Sequence, residues 1–294
     1  MHPISPKPTH LILLTCHAIY VSGPLEHESS WLLAPLQKAG REWITFIKHI
    51  TRAAELWRGD ENSLLVISGG FTRGEVCRSE AGGYFDVGVE RGLWVVGDLR
   101  TEKGGGRIVL EEEALDSWEN LVRGLLAFWR ETGGWAEKIM IVSHGFKRER
   151  FGKLHCGVLG LGMGTSFGPS RERNDREDGN GKGKGVEVVF EGINPEFMDK
   201  ESEEFDAEKC EDTMKGERER GYGEWEKDLW GTGMVLRGKR GGRDKWGVKG
   251  EERRLFESEE ERERSGLKTR WLEEREGVRR EEVIVEEGSW PWNC

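Results

Sequence analysis

Five short apolar runs punctuate the first two thirds of the chain: HLILLTC (10–16), SLLVISG (63–69), RIVLEE (107–112), KIMIVSH (138–144) and VEVVFEG (186–192). None alternates with polar residues. Unbroken runs of this length suit strands covered on both faces, as in a parallel sheet. Between them the period changes to that of helices. In GREWITFIKHITRAAELWRGD (40–60), Trp43, Ile47, Ile50, Ala54 and Trp57 share one face, and Gly59 can end the helix. In DSWENLVRGLLAFWRETGG (116–134), Trp118, Leu121, Val122, Leu125, Leu126 and Trp129 recur at helical spacing before Gly133 and Gly134. Strands alternating with helices predict a layered α/β domain with a mostly parallel sheet of about five strands and right-handed crossovers. In such sheets ligands lie beyond the carboxyl ends of the strands.

Past about residue 195 the apolar pattern thins. SRERNDREDGNGKGKG (170–185) reads as a disordered insertion. GYGEWEKDLWGTGMVLRGKRGGR (221–243) keeps enough aromatic and aliphatic anchors to dock on the domain. Residues 244–294 are mostly Glu, Arg, Lys and Gly, with Trp271, Trp290 and Trp292 isolated among them. They read as a charged, poorly ordered low-complexity tail, set apart from a domain over 10–243.

Composition adds three restrictions. The net charge of −10 disfavours nonspecific nucleic acid or anionic lipid as partners. Five scattered cysteines without a CxxC pair suit free thiols in a reducing compartment rather than a disulfide framework or a zinc site. The N-terminus resembles neither a signal peptide nor a membrane span. The expectation is a cytoplasmic protein with no membrane partner and no metal site.

Several familiar motifs are missing. GNGKGKGVE lacks the Ser/Thr of a phosphate-binding P-loop, and TCHAIYVSGP after the first strand lacks the dinucleotide fingerprint. VSHGF lacks the first glycine of a nucleophile elbow, which makes Ser143 a poor candidate for a hydrolase nucleophile. What remains is four polar clusters, each at or just after a strand. In SGGFTR, Gly69 and Gly70 permit close backbone approach, Ser68 and Thr72 offer hydroxyls and Arg73 offers a fork for an anion. A plain strand-to-loop turn explains the same residues. Ser79 fits a helix N-cap, with Glu80 as either a dipole partner or an acid/base group. Asp116 and Glu119 have capping-box spacing, whereas Ser117 and Asn120 have no such explanation. Lys147, Arg148 and Arg150 follow the fourth strand, where cations suit an anionic ligand better than a helix dipole. His17 follows the first strand, either as a ligand contact or as a structural histidine. The shared placement of these clusters predicts one pocket.

The blocks SGGFTR…SEA, EEEALDSWENL and FKRERFGKLH, in this order, resemble the family of the bacterial YdcF, SanA and ElyC proteins, catalogued as domain of unknown function 218. The likeness is strongest to its fungal cytosolic branch, through HAIY (17–20), His49–Ile50, GINP (192–195) and the Trp225–Arg243 block. It covers roughly residues 10–243. Phe146 stands where bacterial relatives carry histidine, GGY (82–84) departs from the fungal pattern, and Asn194 stands where aspartate is usual. The resemblance implies a Rossmann-like α/β fold. It also implies a pocket faced by Ser68, Gly69, Gly70, Glu80, Asp116, Ser117, Glu119, Asn120, Lys147, Arg148 and Arg150. The expected ligand is an anionic small molecule: a nucleotide, a phosphorylated metabolite or S-adenosylmethionine. Glu80, Glu119 and Asp116 are then the acid/base candidates for phosphate-directed hydrolysis or transfer. Binding would use His17, Ser68, Thr72, Arg73, Ser79, Ser117, Asn120 and the three cations, with the Gly69 and Gly70 amides approaching the ligand. The alternative expectation is a non-catalytic interaction protein whose tail tryptophans meet partners.

Overall fold

The structure, a computed structural model, describes residues 7–100, 106–161, 185–247, 252–275, 277–283 and 290–293. β1 (His10–Thr15) is followed by a small antiparallel pair, β2 (Ile19–Tyr20) with β3 (Trp31–Leu32). Then come α1 (Pro35–Ala39), α2 (Glu42–Arg58), β4 (Ser63–Ser68), α3 (Glu80–Glu90), β5 (Ile108–Glu111), α4 (Ser117–Thr132), β6 (Lys138–Ser143) and β7 (Glu187–Gly192). The five long strands form one parallel sheet in the order β5-β4-β1-β6-β7. Each predicted strand is present within about a residue of its expected bounds.

The lack of alternation in the strands has the cause expected of it. Leu11 and Leu13, with Leu64, Val66, Ile139 and Ile141, pack toward α4, while Ile12, Leu14, Leu65, Ile67, Met140 and Val142 pack toward α2 and α3. The result is a three-layer, Rossmann-like α/β fold. All the residues predicted to line the inner faces of α2 and α4 are buried. Gly133 closes α4 in the left-handed conformation, at φ 72°. At its start, Asp116 Oδ1 accepts from the Glu119 amide (2.9 Å), but Glu119 Oε2 accepts from Leu115 N (2.8 Å) rather than completing a capping box.

α3 shows why its sequence tolerates helix-weakening glycines. A Cβ on Gly83 would lie 2.8 Å from the Tyr20 amide nitrogen and 3.0 Å from its carbonyl oxygen. The helix therefore rests directly on the β2 backbone, which cannot yield as a flexible side chain would. Gly83→Ala is expected to destabilise the protein by about 1–3 kcal/mol through overpacking. Gly134→Ala, with open space around it, should change the denaturation midpoint little by comparison.

Beyond β7 lie α5 (Ala207–Gly216), α6 (Gly223–Lys227), α7 (Met234–Arg243), β8 (Glu252–Arg253), α8 (Glu259–Ser265), β9 (Thr269–Arg275) and β10 (Val278–Val283). β8, β10 and β9 form a second sheet. Trp225, Leu236, Leu255, Phe256, Leu267, Val283 and Trp292 join the core that contains α4. Residues 244–294 thus depart from the expected poorly ordered tail wherever they are described. Trp292 donates Nε1–H to Leu159 O (3.0 Å) and stacks with Trp290, so neither is an open partner contact, whereas Trp271 is 39% exposed.

The reason for the departure is charge matching. Arg240 is completely buried, with Nε 2.8 Å from Asp116 Oδ2 and Nη1 2.9 Å from Glu282 Oε1. Arg280 pairs with Glu119, and Glu281 Oε2 accepts the Leu255 amide at 2.9 Å. A stretch that reads as solvated charge folds because its charges meet partners of opposite sign across the interface. The insertion expected at 170–185 lies outside the described residues, Gly185 excepted. No helix among the described residues is long and apolar enough to cross a membrane.

Candidate functional site

β1 lies mid-sheet. The chain builds from it toward β5, then crosses to place β6 on its other side. This reversal opens a crevice at the carboxyl ends of β1 and β6, the usual ligand position in open α/β sheets. A cavity of about 430 Å³ fills it. Thr15, Cys16 and His17 come from the end of β1, and His144, Phe146, Lys147 and Arg150 from the turn after β6. Asp116, Ser117 and Asn120 open α4, Glu80 opens α3, Glu42 opens α2, and Trp225, Leu236, Lys239 and Arg243 close the far wall.

The lining is predominantly cationic. Arg73, Lys147, Arg150, Arg220, Lys239 and Arg243 face three carboxylates, Glu42, Glu80 and Asp116. Arg150 is held by Glu217 (Nη2 to Oε2, 2.7 Å) and reaches Ser117 Oγ at 3.4 Å. Ser117 in turn meets His155 Nε2 at 2.9 Å. Burial, and then Arg150, hold His155 down to about 3, so it is a neutral partner. Lys147 Nζ lies 3.2 Å from His17 Nδ1 and has no carboxylate partner among the described residues. Burial first, and Arg150 second, lower its ammonium to about 7. His17 stacks on His144, with ring centroids 4.4 Å apart, and His49 lies 5.0 Å from His144. Burial holds all three imidazoles well below their ordinary value.

The carboxylates are tuned the other way. Glu80 accepts from Thr72 Oγ1 at 2.6 Å, yet burial still raises its carboxyl, against Thr72, Arg243 and Arg73. Burial also raises Glu42, whose Oε2 is 3.3 Å from His144 Nε2. Cys16 is no nucleophile: burial, then Glu80 and Glu111, push its thiol well above the usual range.

The predicted residues divide. His17, Thr72, Arg73, Glu80, Asp116, Ser117, Asn120, Lys147 and Arg150 all line the one cavity. The others lie behind it. Gly69 and Gly70 do not offer their amides to a ligand, because these donate to Glu111 O (2.9 Å) and Ala114 O (2.8 Å). Their lack of a Cβ serves packing instead: a Cβ on Gly69 would sit 2.6 Å from Cys16 Cβ, and one on Gly70 2.8 Å from Ala114 O. Ser79 caps α3 through Gly82 N (2.8 Å) and meets Glu112 Oε1 at 2.5 Å. Glu119 is bound to Arg280 and turned away from the cavity, which removes it as an acid/base group. Arg148 places its guanidinium over Phe190, 5.2 Å from the ring centroid. Asp116 is at the wall but is already committed to the Glu119 amide and to Arg240.

Ser68 acts from behind the wall. Its Oγ is 2.5 Å from Glu111 Oε2 and 3.0 Å from Asn120 Oδ1. Ser68 Oγ–H is thus shared between the Glu111 carboxyl, which burial raises, and the Asn120 carbonyl oxygen. The Asn120 amide NH2 is left for the cavity. Sequence reasoning missed Glu42, Glu217, Trp225 and Arg243 as site residues. Glu42 had a weak signal, as the first helical residue after Gly40–Arg41, but Glu217 sits in a charge-rich run that reads as solvent-exposed.

Fold and cavity together define a Rossmann-like α/β protein with a cation-lined cleft at the switch point of its sheet. Among known proteins it is similar to Uncharacterized protein YOR238W of Saccharomyces cerevisiae, 28% identical over 189 residues, 51% of this chain and 62% of the yeast protein. This chain thus spans less than two thirds of that relative's length. No protein-family model matches, and no solved structure matches.

Proposed function

We propose that the chain is a YdcF-like domain that binds an anionic small molecule in the cleft and acts at its phosphate. One observation carries this reading: Lys147 sits beside Arg150 at the switch point, and no carboxylate among the described residues lies within ion-pair distance of its amine. A partly buried amine held near neutrality is a standing electrostatic penalty, which an incoming anion relieves. Arg73 and Arg243, at the wall near Glu80, extend the positive surface. Nucleotides, phosphorylated metabolites and the carboxylate of S-adenosylmethionine are the ligand classes that fit. Glu80, raised toward neutrality by burial, is the general base for hydrolysis or transfer at phosphate, and Ser117 and Asn120 orient the substrate.

A thermal-shift panel of nucleotides, phosphometabolites and S-adenosylmethionine tests this. At about a hundredfold excess over Kd, a true ligand stabilises the protein by about 2.7 kcal/mol. The shift should be present in the wild type and lost in Lys147→Ala. A panel in which no anion stabilises the wild type contradicts the reading.

A further inference from the structure

Lys147 is held differently from Arg150 and Lys239 in the same cleft. Arg150 is paired with Glu217 and Lys239 with Glu224, whereas the Lys147 amine, 5.8 Å from the Phe146 ring centroid, has a ring nitrogen as its hydrogen-bond partner among the described residues. That ring, His17, has its Nδ1 3.2 Å from Lys147 Nζ and its Nε2 3.4 Å from Ser143 Oγ. Ser143 Oγ is in turn 2.8 Å from Thr15 Oγ1. An amine, an imidazole and two hydroxyls thus form one hydrogen-bonded chain that needs no charge. With its hydrogen on Nε2, the ring accepts from a protonated Lys147. With it on Nδ1, the ring donates to the lone pair of the free amine. The chain can therefore follow the amine through either protonation state without losing a hydrogen bond. The Glu80 carboxyl shares the cavity with it and is electrostatically coupled to it.

We infer that Lys147 is an amine nucleophile that condenses with the carbonyl group of a phosphorylated aldehyde or ketone. This rests on the anion-binding reading above, with Arg150 and Arg243 holding the phosphate. The Nζ lone pair forms a bond to the carbonyl carbon, the carbonyl oxygen gains a proton and the nitrogen loses one, giving a carbinolamine. The C–O bond then breaks, the hydroxyl leaves as water with a proton from the Glu80 carboxyl, and a C=N bond remains. The iminium nitrogen loses its last proton to the Glu80 carboxylate, which restores the acid. One water is released per imine, and nothing is oxidised or reduced.

The test uses the full chain with pyridoxal 5′-phosphate as probe, sodium borohydride to reduce the imine, and peptide mapping to locate it. The expected result is one adduct, on Lys147, forming roughly tenfold or more faster than on surface lysines, which are almost wholly protonated near neutral pH. Inorganic phosphate should compete with it. Lys147→Arg, which keeps the positive charge, should lose the adduct but still be stabilised by inorganic phosphate in a thermal shift, and that shift also reports that it is folded. Labelling spread over surface lysines, with phosphate stabilisation intact, overturns the imine inference and leaves the anion site standing. Absence of both the Lys147 adduct and any phosphate stabilisation of the wild type overturns the anion-binding reading as well.

Discussion

Arg240→Ala is expected to destabilise the protein by about 3–5 kcal/mol, seen as a lower urea midpoint at unchanged slope. Arg240 is fully buried between Asp116 of the α4 N-cap and Glu282 of β10. Removing it leaves two carboxylates in the interior, with Arg280, 3.6 Å from Glu282 Oε1, as partial compensation. Burial already raises the Glu282 carboxyl, with Arg240 the largest opposing influence. In the variant that opposition is gone, so the folded-state carboxyl rises further above its unfolded value. Between those two values the folded state holds a proton that the unfolded chain has released, so folding is favoured as pH falls. The deficit should therefore shrink as the pH falls toward the ordinary carboxylate range. Replacing the pair by apolar isosteres, Arg240→Met with Glu282→Met, should recover only part of the loss, because the Asp116 carboxylate still lacks its Arg240 partner. A loss of less than about 1 kcal/mol for Arg240→Ala, the value of a surface pair, would mean that the network is solvated and that the C-terminal sheet is not anchored by it.

Lys147→Met is expected to act in the opposite direction, stabilising the ligand-free protein by about 2–4 kcal/mol near neutral pH while removing anion binding. The sign follows from the lowered ammonium. Folded, Lys147 titrates at about 7, whereas its ordinary value is 10.5. Between these values the unfolded chain binds the proton more strongly, so folding carries a penalty that is complete below about pH 7 and vanishes by about pH 10.5. Methionine removes the penalty and keeps most of the volume. The gain of the variant should thus be largest at or below neutrality and fade as the solution becomes alkaline. Paired denaturation curves across this range check it. A destabilised Lys147→Met at pH 7 would show that the amine makes favourable contacts in the free protein that outweigh its desolvation.

The sheet was largely legible in the sequence, because burial on both faces is written directly as unbroken runs such as LILL and LLVI. The inner faces of α2 and α4 were equally plain, since five or six apolar residues at one period leave little choice. The nine cavity residues found in advance were legible by position: each follows a strand or opens a helix. Glu119 and Gly69 misled for one reason. A helix-start carboxylate and a glycine at a strand end look the same whether they face a ligand or the protein's own interior. Only the partner decides, and the partners here, Arg280 and Cys16, are distant in sequence. The C-terminal sheet was hidden because composition reports how much charge is present, not which charges are opposed across space.

The pairing of Asp116 with Arg240, and of Glu119 with Arg280, also sets an order of events during synthesis. The N-cap of α4 and one wall of the cleft leave the ribosome more than a hundred residues before their cationic partners. Until β10 emerges, the nascent chain carries a nearly complete parallel sheet with an uncovered apolar flank and unmatched carboxylates at its functional end. Such a chain should depend on protection while it is being made. A premature stop before β10 would yield a product that is degraded, not a shortened working protein.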